Sequence, residues 1–284
     1  MVIFLQSVNK FTKKKGGEMK KSWIISLLAT GLLIFAGCSS ATSSSKESQD
    51  STEPKEVVLY VTRHGKTMFN AAERAQGWSD SPLIDEGVEI AEQLGKGLKK
   101  EKVEFVSAYS SDSGRARETT ELALKNNGQK KMNYKEDKRL REICFGTYEG
   151  DTNENMWEAA AKSANYKDSK ELLADDDLSL DGMYDAIKAA DETGMAEDLP
   201  TVKKRMKEAL TEIAEETEKN GGGNVLVVSH GGAIMAAVSE LRGEETAEFI
   251  PIGNASVTKI VYKDGKFDVK DVGSTSFVEA GDKK

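Results

Sequence analysis

Residues 56–65 read EVVLYVTRHG, and residues 224–232 read NVLVVSHGG. Each is a short, nearly continuous apolar run rich in β-branched side chains, the pattern of a strand buried on both faces of a parallel sheet. Each run ends at a histidine, His64 after the first and His230 after the second, and the chain contains only these two. Ligands of open parallel sheets bind at the carboxyl ends of the strands. Both imidazoles are therefore expected to project into one crevice. One histidine after a strand is usually structural; two of two in matching positions point to chemistry.

Working outward, residues 85–100 carry Val88, Ala91, Leu94 and Leu98 on one helical face. Residues 105–110 read as a strand and residues 113–125 as a helix. A longer amphipathic helix is expected over residues 201–219, with Val202, Met206, Leu210 and Ile213 in register and Asn220-Gly221-Gly222-Gly223 as its stop. Residues 233–241 read as a helix. Residues 257–262 and 267–272 flank Asp264-Gly265, a hairpin signal. Strands alternating with helices imply an α/β fold: a three-layer sandwich with a largely parallel central sheet and helices on both faces. Residues 151–200 break the alternation with 14 acidic residues, four lysines, no arginine and no strand pattern. They read either as a helical insertion over one end of the sheet or as a solvated acidic surface hairpin without a functional role.

Composition narrows the class. With 284 residues and 38% hydrophobic side chains, the chain can bury one sizeable core. Its net charge of −8 is a poor match for a nucleic-acid backbone, so no nucleic-acid partner is expected. Two cysteines, Cys38 and Cys144, cannot make a disulfide scaffold or a four-cysteine zinc site.

The first 37 residues read as an address. Trp23 to Gly37 form an uncharged run of 15 residues behind Lys20 and Lys21, short for a bilayer span and right for the apolar core of a signal peptide. Phe35-Ala36-Gly37-Cys38 resembles the lipobox of bacterial lipoproteins, which implies lipidation of Cys38 and an extracytoplasmic, membrane-anchored protein; the alternative is an uncleaved anchor with an incidental cysteine. Lys15-Gly16-Gly17-Glu18-Met19 can be encoded as a ribosome-binding site followed by a start codon, so Met19 is the expected start and residues 1–18 an over-extended gene model. Residues 38–54 are rich in Ser and Thr, without large apolar side chains, and read as a flexible tether to a domain at 55–284.

Arg63-His64-Gly65 is followed in order by Thr67, Asn70, Gln76-Gly77, Asp80-Ser81-Pro82-Leu83 and Gly87, then by Tyr109-Ser110-Ser111-Asp112, Arg115-Ala116 and Thr119. Leu140-Arg141-Glu142, Phe145-Gly146, Glu149-Gly150 and Val228-Ser229-His230-Gly231-Gly232 complete the series. This ordered set resembles the histidine phosphatase superfamily in its phosphoglycerate-mutase-like branch, over about residues 56–272. Phosphoryl transfer needs a nucleophile, cations for the equatorial oxygens and an acid for the leaving oxygen. Two histidines and one domain cysteine leave few metal ligands, so neither metal nor cofactor is expected and arginine must supply the charge.

The resemblance implies that His64 attacks phosphorus, that Arg63 and Arg115 clamp the phosphoryl oxygens, and that His230 donates to them. It also places Asn70, Gln76 and Gly77 at the phosphate. Asn70 has a second reading as a helix cap. Glu142 is the implied general acid, or else a solvated carboxylate beside Arg141; Gly231 after His230 disfavours the His-Asp acid of the superfamily's other branch. Lys66 is either a rim charge that favours anionic substrates or a neutral surface change. The expected activity is hydrolysis of a small phosphomonoester through phosphohistidine. Mutase-type phosphoryl transfer and non-catalytic binding of phosphorylated ligands are the alternatives. The arginine-free insertion weighs against a bisphosphate substrate.

Overall fold

The computed structural model describes residues 55–244 and 249–283. The signal peptide, Cys38 and the tether expected from the sequence lie outside them. Six strands form one mixed sheet: β1 (Val57–Arg63), β2 (Phe105–Ser110), β3 (Lys135–Glu136), β4 (Gly223–Ser229), β5 (Val257–Lys263) and β6 (Lys266–Ser274). Their order is β3-β2-β4-β1-β5-β6. The pairs β2–β3, β2–β4 and β1–β4 are parallel, and only β5 runs against the others. Both positions of the β5–β6 turn, Asp264 and Gly265, have positive φ (52° and 74°), as a two-residue hairpin requires.

Alternation along the central strands sorts the helices into two layers. Val57, Leu59 and Val61 of β1, with Val225 and Val227 of β4, pack against α7 (Leu199–Lys219) and α8 (Gly231–Arg242). Tyr60, Leu226 and Val228 face the other way, onto α2 (Asp85–Lys100) and α3 (Gly114–Asn127). A four-residue α1 (Met68–Ala71) follows the first strand, and a short α9 (Ser276–Asp282) closes the chain. The sequence reading missed β3 and α9. Helix α9 docks on α2 where glycine permits close backbone approach: a Cβ at Gly97 would lie 1.8 Å from the Phe277 carbonyl oxygen.

The insertion is helical, as α4 (Asn153–Ser163), α5 (Ser169–Ala174) and α6 (Leu180–Ala190). Thr152, Asp168 and Ser179 cap these helices by accepting backbone N–H bonds. Met156, Ala160, Leu172, Leu180, Met183 and Ile187 are buried and join the main core. The reading as a solvated surface hairpin therefore does not hold. The long helix α7 starts two residues earlier than expected, because Asp198 caps it and Pro200 fits its first turn.

Candidate active site

The register of β1 and β4 places the two histidines. Arg63 pairs with Ser229, so His64 and His230 are the next residues on adjacent parallel strands. Their ring centroids are 5.1 Å apart, and both residues are buried. His64 Nδ1 lies 2.7 Å from the Gly65 carbonyl oxygen. A carbonyl can only accept, so Nδ1 carries the proton and Nε2 holds the free lone pair. Asn254, which no sequence pattern singles out, supports this loop by donating to the His64 carbonyl and to Asn70 Oδ1.

Buried nitrogen atoms surround the pair without partners among the described residues: Arg63 Nε, Arg115 Nε and both ring nitrogens of His230. Buried donors are normally satisfied, so such a cluster is itself evidence for a ligand that accepts several hydrogen bonds. Arg115 is pinned by bonds to the Gly77 and Ser79 carbonyls and a 2.9 Å pair with Asp80. Arg63 donates through one terminal nitrogen to the Ile252 carbonyl. These contacts fix the Arg115 guanidinium plane and tie Arg63 at one terminal nitrogen. Gly231 and Gly232 open the first turn of α8 to the site: a Cβ at 231 would lie 3.5 Å from Arg63 Nε, and one at 232 only 2.8 Å from Glu142 Oε1.

Glu142 reaches into that space. Its carboxylate accepts backbone N–H bonds from Ile143, Gly232 and Ala233, the last two in the first turn of α8. It is buried, not solvated beside Arg141. Arg141 instead makes a bidentate pair with Asp112 and lies over the Trp78 ring. The Trp78 indole N–H donates to the Glu142 carbonyl. From the insertion, Tyr184 stacks on Phe145, and burial together with the Glu142 charge pushes its hydroxyl pKa up.

Several expected contacts are built differently. The Gly77 amide already donates to Glu149, and Gln76 bonds Thr67 and Ser81 with the two ends of its amide. Both residues shape the wall of the site; the Gly77 amide is not a free phosphate donor. The Glu149 carboxylate accepts from the amides of Gly77, Trp78, Ser79 and Phe145, a role the motif alone did not disclose. Asn70 is indeed a cap: its Oδ1 accepts from Thr67 N in a reciprocal capping box, which leaves only its Nδ2 as a donor. Lys66 pairs with Glu86 at 2.7 Å and is not a free rim charge.

Burial holds the pKa of both histidines well below the ordinary value of 6.5, and the Arg115 charge is the next cause for each. Both rings are therefore neutral at pH 7, and they stay neutral into acid. The acid limb of kcat/KM should lie well below pH 6.5, measured with a substrate whose own ionisation is corrected for. The same shifts bear on stability. The unfolded chain binds protons at these positions below 6.5 while the folded chain resists them, so stability present above pH 6.5 should fall as the solution is acidified.

Comparison with known proteins agrees with this geometry. Residues 59–275 match the family model described as histidine phosphatase superfamily (branch 1). The chain belongs to that superfamily. Among histidine phosphatase relatives, a broad-specificity phosphatase of Saccharomyces cerevisiae is 31% identical over 236 residues, covering 82% of this chain and 92% of the yeast protein. A 2,3-bisphosphoglycerate-dependent phosphoglycerate mutase of Streptococcus pyogenes is 28% identical over 218 residues, or 73% of this chain and 93% of its own. The crystal structure of a phosphoglycerate mutase from Bacillus anthracis superposes with a TM-score of 0.76 at 47% identity, covering 82% of this chain and 99% of that one. The superfamily thus brings both phosphatases and mutases close to this chain.

Proposed function

We propose that the protein hydrolyses small phosphomonoesters, without a metal, through a phosphohistidine on His64. The observation that carries this reading is the cluster of unpartnered donors, Arg63 Nε, Arg115 Nε and His230, around an imidazole whose Nε2 is free. A phosphoryl group supplies the missing acceptors, and the arginines supply the positive charge a metal would otherwise provide. His64 Nε2 attacks phosphorus as the ester P–O bond breaks, and Glu142 as a carboxylic acid protonates the departing alkoxide. Water then attacks the phosphohistidine and gives its proton to Glu142. The P–N bond breaks, and neutral His64 is restored.

Hydrolysis is favoured over mutase chemistry by what lies beyond the clamp. Arg141 is committed to Asp112, Lys66 to Glu86, and the insertion brings Tyr184 rather than an arginine. A second anionic group on the substrate would meet no such clamp there. The similarity to proteins named phosphoglycerate mutases keeps a second reading, phosphoryl transfer to 3-phosphoglycerate, which a bisphosphoglycerate-primed assay would detect.

The test is hydrolysis of 4-nitrophenyl phosphate by chelator-treated protein, with acid-labile phosphate trapped on the chain by rapid quench. Undiminished turnover after chelation and a label on His64 are expected; turnover restored only by added metal would overturn metal independence. The proposal includes lipid anchoring through Cys38 and an extracytoplasmic site, supported by the order of basic, apolar, cysteine and polar segments. Incorporation of a labelled fatty acid into the protein, lost in Cys38→Ala, checks the anchor.

A further inference from the structure

We infer that Arg205, held by Glu197, is a positioning residue that aims Glu142, an inference resting on the reading of Glu142 as the acid. Arg205 lies on α7, about 60 residues from Glu142 in sequence, yet its guanidinium closes around the Glu142 loop. Its terminal nitrogens donate to the carbonyls of Arg139 at 2.8 Å, Arg141 at 2.6 Å and Glu142 at 2.9 Å. Nε and the remaining terminal N–H go to the two Glu197 oxygens at 2.9 and 2.8 Å. All five donors of the planar fork are thereby used, three of them on carbonyls within the four residues 139–142.

Glu197 continues the strap. Its carboxylate accepts from the Cys144 amide, and its own amide donates to the Cys144 carbonyl. The backbone on both sides of Glu142 is therefore fixed from the end of the insertion. Both partners are largely enclosed, with side-chain exposures of 13% and 12%. A pair of this kind holds its geometry far better than an exposed ion pair. With its backbone held, the Glu142 side chain is set against the first turn of α8. Without the strap, the carboxylate loses its fixed distance to the leaving oxygen.

The test compares Arg205→Lys, Glu197→Gln and Glu142→Gln on an alkyl phosphate and on 4-nitrophenyl phosphate, whose good leaving group needs little protonation. General acid catalysis contributes about 10²- to 10⁴-fold, so partial misalignment should cost Arg205→Lys about 30-fold in kcat/KM on the alkyl ester. On the nitrophenyl ester the loss in kcat/KM should stay within about threefold, because kcat/KM ends at phosphohistidine formation and excludes the later step in which Glu142 takes a proton from water. Glu197→Gln should move in the same direction by less, and it serves if the lysine variant does not fold. Lysine keeps the positive charge that bears on His230, so the acid limb of the pH profile should not move. The double variant Glu142→Gln/Arg205→Lys should be no slower on the alkyl ester than Glu142→Gln alone, within about twofold. If Glu142→Gln separates the two esters but Arg205→Lys and Glu197→Gln slow both equally, the positioning role falls and the acid stands. If Glu142→Gln itself fails to separate them, acid and strap fall together.

Discussion

Replacing His64 with alanine should lower phosphomonoesterase turnover by at least about 10⁴-fold while leaving KM within about threefold, because the nucleophile is lost and the clamp is not. Arg63, Arg115 and His230 remain to receive the phosphoryl group, so substrate should still bind. His230 is a poor substitute as nucleophile. It sits 5.1 Å away at the N-terminal cap of α8, with its ring tilted against that of His64. Steady-state kinetics and acid-quench labelling measure both parts of the expectation. Turnover equal to the parent, or label retained on the variant chain, would remove the phosphohistidine intermediate from the reaction. Folding should survive the change, since among the described residues the side-chain hydrogen bond lost is the local one to the Gly65 carbonyl.

Arg115→Met has the second large effect, and it is threefold in character. The phosphoryl oxygens lose a fixed donor, for which about 10³-fold in kcat/KM is expected. The fully enclosed guanidinium also holds Gly77, Ser79 and Asp80, so its removal should destabilise the fold by about 3 kcal/mol; Asp80 is partly exposed and can be hydrated instead. The most specific consequence concerns pH. After burial, Arg115 is the leading cause that holds both histidines below 6.5. Its neutral replacement should shift the acid limb of kcat/KM upward, towards pH 6.5. Urea unfolding and a pH–rate profile separate the stability loss from the electrostatic one. An unmoved acid limb would show that Arg115 does not set the protonation of the imidazole pair.

The parts of this molecule legible in its sequence are those written in local pattern. β1 and β4 are buried on both faces and so read as unbroken apolar runs, while α7 shows its buried stripe every three or four residues. The histidine pair followed from those strands, because register carries equivalent positions to the same sheet edge. Gln76 and Gly77 were placed at the phosphate because a motif names positions and not partners. Only the folded loops show that Glu149, more than 70 residues away, takes the Gly77 amide. Arg205 looks like any basic residue on the polar side of an amphipathic helix until its five acceptors are brought round it. Strand β3 has two residues and α9 seven, too few for a periodic signal. Asn254 lies in a loop with no pattern at all.

Because Arg63 and Ser229 are neighbours in the parallel ladder, the gap between the imidazoles is close to the roughly 4.8 Å pitch between hydrogen-bonded strands. That spacing belongs to the most rigid object in the molecule and is indifferent to breathing of the helices above it. The acidic insertion can therefore be altered away from Glu197 without changing the spacing of the histidine pair. The proposed acid is not insulated in the same way, since Glu197 at the end of the insertion holds the Glu142 loop. A chimera carrying another insertion on this sheet would be expected to keep the histidine spacing, and to keep its route of cleavage only where Glu197 is retained.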